Sequence, residues 1–157
     1  RAGVSHGAPA YHFRDSGGLL TALATDGFAR VLATQLDREE QQGSSLPDRL
    51  VAAGLGYIDF ALRHPALFRL MFSSQRLDFG DPDLQREMDS TYQHLRAAIA
   101  AVDGAEADVI LAWAVVHGLA ELMLARRLVC LHSLPLPERE AALAVLLRRL
   151  LLLFLLV

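Results

Sequence analysis

Apolar residues return every three or four positions along most of the chain, and the places where this rhythm breaks divide it into helices. From Gly18 to about Glu40 the period is carried by Leu19, Leu20, Leu23, Phe28, Val31, Leu32 and Leu36. It ends in the polar run Asp37-Arg38-Glu39-Glu40. Gln41 to Ser45 is loop by composition, and Pro47 suits the first turn of a second helix, where its missing N–H costs nothing. That helix, Asp48 to His64, sets Val51, Leu55, Ile58 and Leu62 on one face and stops before Pro65. The short helix Ala66 to Ser73 is dense in large apolar groups: Leu67, Phe68, Leu70, Met71 and Phe72. Ser74 to Asp81 reads as loop. Pro82 opens a helix in which Leu84, Met88, Tyr92, Leu95, Ile99 and Val102 recur until Gly104.

The segment from Ala105 to about Val129 is the most apolar. Between Val109 and Ala125 its one formal charge is Glu121, which predicts a helix without a wide solvent face, running through the middle of the domain. After Pro135 and Pro137 a last helix begins near Glu138, and its stripe of Leu143, Val145, Leu146 and Leu147 leads into the wholly apolar run Leu150 to Val157. Those eight residues fall short of the roughly 20 needed to cross a bilayer, so a partner subunit is the simplest cover. The membrane alternative rests on Arg148 and Arg149, which would snorkel at an interface. No stretch shows sustained alternation, and neither Asp-Gly pair, Asp26-Gly27 or Asp103-Gly104, joins two alternating runs as a hairpin would, so the expected fold class is all-α.

Composition narrows the picture. A chain of 157 residues that is 53% apolar holds enough material for one full core. A net charge of −3 excludes a general nucleic-acid coat and confines any basic surface to a local patch. The single cysteine, Cys130, has no partner for an internal disulfide and no metal-ligand companions in sequence, which points to the reducing cytoplasm. No signal peptide is visible, and a first residue of Arg rather than Met leads us to expect further residues upstream.

Against the acidic whole, residues Arg1 to Arg14 contain no acidic group. Gly3-Val4-Ser5 supplies a flexible turn residue, an apolar residue to pin the turn, and a Ser able to cap a helix from about His6 to Phe13. The exposed side of that helix would carry His6, Tyr11 and His12, groups suited to phosphate oxygens and base edges. The string resembles the recognition half of the helix-turn-helix in TetR-family transcriptional regulators, through Ala2, Gly3, Val4, Ser5, Gly7, Ala8, His12, Phe13, Asp15 and Leu19-Leu20. Two positions depart from the family pattern: Ala10 stands where Tyr is usual, and Ser16 where a phosphate-gripping Lys is usual.

A second resemblance lies downstream. Tyr57, Phe60 and Ala61 precede the stretch His64, Pro65, Leu67, Phe68, Leu70, Met71 and Phe72. Further on stand Trp113, His117 and Gly118 in a Trp-x-x-x-His-Gly arrangement. Together they resemble the WHG-type C-terminal domain of a subset of TetR-like regulators. The resemblance implies a partial helix-turn-helix head over residues 1–40, with its front half upstream, and a ligand-binding and dimerisation bundle over 46–157. It further implies duplex operator DNA, read in the major groove by Ser5, His6, Tyr11 and His12, and a small apolar or amphipathic effector. The partner subunit would be a second copy joined through the last two helices, with no membrane, metal or cofactor involved.

Candidate effector contacts are Tyr57, Phe68, Phe72, Tyr92, Trp113 and His117. For Trp113 and His117 two readings stand side by side. In one, Trp fills the core and His satisfies a buried partner across helices. In the other, His117 lines a cavity and offers it a hydrogen bond. No Gly-rich phosphate loop, His-Glu-x-x-His run, nucleophile elbow or metal-spaced cluster points to an enzyme. The rival reading, built on Ala10 and Ser16, is a helical ligand-binding and dimerisation module that no longer contacts DNA.

Overall fold

Short polar side chains at helix starts set the frame. The computed structural model describes residues 15–42 and 45–154, and among these it contains helices and no strand, the all-α class expected. In chain order they are α1 Ser16–Gln41, α2 Leu46–Arg63, α3 Pro65–Ser73, α4 Pro82–Ala100, α5 Glu106–Leu124, α6 Val129–His132 and α7 Leu136–Phe154. Asp15 Oδ1 accepts from the Gly18 N–H at 2.9 Å to start α1. Ser45 Oγ accepts from Asp48 N–H at 3.2 Å to start α2, with Pro47 in its first turn. Asp81 Oδ1 accepts from both Asp83 and Leu84 N–H at 3.0 Å to start α4. Each such cap satisfies orphan donors and stabilises by about 1 kcal/mol.

The central helix is α2, and this corrects the expectation that the Trp113 helix runs through the middle. Every residue from Val51 to Ile58, then Phe60 and Ala61, is buried. Helix α1 lies along one side of α2, while α5 and α7 pack on the other. Small residues make this possible. A Cβ on Gly56 would stand 3.0 Å from both the Gln35 Cα and the Thr34 carbonyl oxygen, so α1 and α2 meet backbone to backbone.

By contrast, α5 buries Val109, Ala112, Ala120 and Met123 and leaves Ile110 59% and Trp113 44% exposed. An apolar circumference demands cover, but nothing in it says that the cover comes from the same chain. The helix also ends at Leu124, short of the expected Val129. Arg126 adopts a left-handed conformation (φ 55°), and the Arg127 N–H bonds back to Leu122 O at 2.9 Å. This is a Schellman-type stop with Arg where Gly is usual.

The buried stripe of α1 also differs from the leucine pattern. Leu23 and Leu36 are exposed, while Ala24, Phe28, Val31, Gln35 and Glu39 are inside. Glu39, expected in a polar tail, has its Oε1 2.6 Å from His94 Nε2 and its Oε2 3.2 Å from Arg49 Nη2. Two partners offset the desolvation of this buried carboxylate and tie α1 to α2 and α4. Arg38 beside it bridges Asp59 and Glu140, linking α1 to α2 and α7.

Candidate functional site

Where α1, α2, α4, α5 and α7 converge, the core is hollow. A cavity of about 410 Å³ is enclosed by Phe28 and Gln35 of α1 and by Val51, Ala53, Gly54 and Tyr57 of α2. Met71 and Phe72 of α3, Met88, Thr91 and Tyr92 of α4, Trp113 and Val116 of α5, and Leu147, Leu150 and Leu151 of α7 also line it. Such a volume and an apolar wall with few polar groups are what small-molecule sites between helices have in common. Among the described residues no Arg, Lys or His lines it, and the one formal charge is Asp89, an exposed residue.

The six expected contact residues divide. Tyr57, Phe72, Tyr92 and Trp113 line the cavity. Phe68 and His117 do not. Fully buried Phe68 stacks on the His117 ring, with centroids 5.3 Å apart and planes at 27°, and Phe72 meets His117 edge-on at 4.8 Å. His117 Nδ1 lies 2.8 Å from the Tyr57 hydroxyl, a hydrogen bond between α5 and α2. Of the two readings of His117, the geometry therefore matches the one in which it satisfies a partner across helices. Trp113 fits neither simple reading: it touches the cavity on one side, faces Tyr92 edge-on with centroids 6.3 Å apart, and is 44% exposed on the other.

Burial sets the charge state of this pair. Desolvation pulls the His117 imidazole below its ordinary value, against the opposing pull of Glu121 one turn on, and pushes the Tyr57 phenol well above its own. Both are neutral near pH 7. At the cavity's outer edge the Tyr92 hydroxyl donates to Glu106 Oε1 at 2.9 Å, and that hydrogen bond raises the phenol above its ordinary value.

Gln35 is the lining residue that the leucine pattern concealed. Its place on the buried stripe, four after Val31 and seven after Phe28, was the available signal. Its Nε2 donates to Ala53 O at 3.3 Å, and its Oε1 is buried without a hydrogen-bond partner among the described residues. No group of three or more His, Cys, Asp and Glu among the described residues is placed to hold a metal ion. Ser5, His6, Tyr11 and His12 lie outside the described residues.

Residues 50–150, from α2 into α7, match the family described as tetracyclin repressor-like, C-terminal domain. The chain belongs to the TetR-like family. A solved structure of a protein of unknown function from Rhodococcus sp. RHA1 is similar to it. That protein is 32% identical, with a TM-score of 0.70, over 94% of this chain and 79% of the other. No curated protein matches the chain. The TetR-like match takes in most of the cavity wall, with Phe28 and Gln35 of α1 and Leu151 of α7 contributed from outside it.

Proposed function

We propose that this TetR-like protein is a DNA-binding transcriptional regulator of the WHG-type subset, acting as a cytoplasmic repressor without enzymatic activity. A small apolar effector held in the α1–α7 cavity would release it from its operator. The observation that carries this reading is the cavity itself. Its wall is shared by α1 and the family-matched bundle, so a ligand that fills it acts on the helix leading from residues 1–14. Within that segment Ser5, His6, Tyr11 and His12 are the proposed DNA contacts, with His6 best placed for a base edge. Effector binding would then be a shift between two dimer geometries, driven by its better fit to one of them.

The dimer is part of the same proposal. Ile110, Leu111 and Leu122 of α5 and Val145, Leu146 and Leu152 of α7 form exposed apolar faces. A second copy laid across these two helices would cover them. Gly118 lies within this region, and a Cβ there would meet nothing within 4 Å, which leaves room for a partner helix to approach closely. Helix α5 is also long and apolar enough to cross a bilayer. Its packing on α2, its buried Val109, Ala112 and Met123, and its part in the cavity wall favour the second copy instead.

The test is DNA binding by the protein expressed from its own coding sequence, measured by anisotropy across salt concentrations. Sequence-specific binding that falls steeply with salt is expected. Binding without sequence preference at any salt would leave only the ligand-binding and dimerisation module.

A further inference from the structure

We infer that Gln35 is the polar anchor of the cavity. The effector is then a largely apolar molecule without negative charge, bearing a hydrogen-bond donor, a hydroxyl or amide N–H, that is received by Gln35 Oε1. This role for Gln35 rests on the reading of the cavity as an effector site and deepens it.

Asp89 is exposed to water, and the lining hydroxyls are already engaged in hydrogen bonds. The Tyr57 hydroxyl is engaged with His117, Tyr92 donates to Glu106, and Thr91 Oγ1 donates to Glu87 O at 2.9 Å. Gln35 is 7% exposed, with one end of its carboxamide held by Ala53 O and the acceptor end unpaired. A buried acceptor left without a donor is a standing cost, which a ligand group that supplies the donor removes. A ligand acceptor gains nothing there. The charge pattern disfavours anionic amphiphiles: with no cation in the wall among the described residues and Asp89 exposed, a carboxylate or phosphate would be desolvated without compensation. Because Gln35 sits on α1 at its contact with α2, where Gly56 admits no side chain, the ligand's one directional bond falls on α1 itself.

The test uses three probes of one chain length: decanol, its methyl ether, and decanoate. Trp113, the one tryptophan of the chain, lines the cavity and reports binding by its fluorescence. Decanol should bind about tenfold more tightly than the ether, which keeps the oxygen but loses the donor, and decanoate should bind weakest. Gln35→Leu should bring alcohol and ether to equal affinity. Gln35→Met, which keeps the length of the side chain, should do the same if the leucine variant fails to fold. Equal binding of alcohol and ether to the unaltered protein would overturn the role of Gln35 and leave the cavity reading standing. Tighter binding of decanoate would also overturn it. No binding of any probe would overturn both.

Discussion

Helices α2 and α5 invert what their compositions suggest. Helix α2 carries Asp48, Arg49, Asp59 and Arg63, yet it is buried along ten of its residues. Helix α5, with one charge in its central stretch, buries four. The difference lies in the neighbours: α1 meets α2 at Gly56 and α7 meets it at Gly54, while Ile110, Leu111, Trp113 and Leu122 give α5 a broad surface that the other described residues do not cover. Apolarity predicts that a helix will be covered but not which neighbours cover it. The bare face of α5 is where the proposed second copy would sit.

The contrast can be broken at several points, beginning with the largest effect. Phe60→Ala, at a position 1% exposed on α2, should lower stability by about 3–5 kcal/mol in urea denaturation. Ile110→Ala on α5 should change it by less than about 0.5 kcal/mol when measured in dilute protein. Similar losses for the two would mean that α5 is as deeply embedded as α2. Gly56→Ala forces a Cβ onto the backbone of α1 and should cost about 1–3 kcal/mol, visible as a lower thermal midpoint. An unchanged midpoint would show that the two helices are not in backbone contact. Tyr57→Phe removes the hydrogen bond that joins α2 to α5 and should cost about 1 kcal/mol while leaving the cavity lined.

The smallest effect is on acid stability. His117 takes up its proton less readily when folded than when unfolded, so below about pH 6.5 the unfolded chain is protonated first. Its contribution is therefore constant above that pH and is lost as pH falls below it. Denaturation of His117→Gln across pH 5–8 should show a shallower acid decline than the unaltered protein. A decline of equal slope would place the cause elsewhere.

Much of the fold is readable in the order of residues. Pro47, Pro65 and Pro82 stand in the first turns of their helices, Gly104 follows α4, and the repeating apolar positions announce an all-helical fold. The hidden part depends on neighbours. Periodicity says which residues share a face but not what that face meets, so Leu23 and Leu36 read as core while Gln35 and Glu39 take the buried places. The end of α5 is concealed because Arg126, not glycine, adopts the left-handed turn. The aromatic positions Tyr57, Phe72, Tyr92 and Trp113 converge on one cavity, whereas Phe68 and His117, on the same helices, turn to each other behind its wall.

The regulator proposed above depends most on the exposed faces of α5 and α7 being an interface between two copies of this chain. Sedimentation velocity of the unaltered protein beside Ile110→Glu tests this most directly, because a charge at a position 59% exposed leaves the core untouched and has no place in an apolar interface. A dimer is expected for the first and a folded monomer of unchanged helicity for the second. A monomer for the unaltered protein at micromolar concentration, or a dimer that tolerates the glutamate, would contradict the interface.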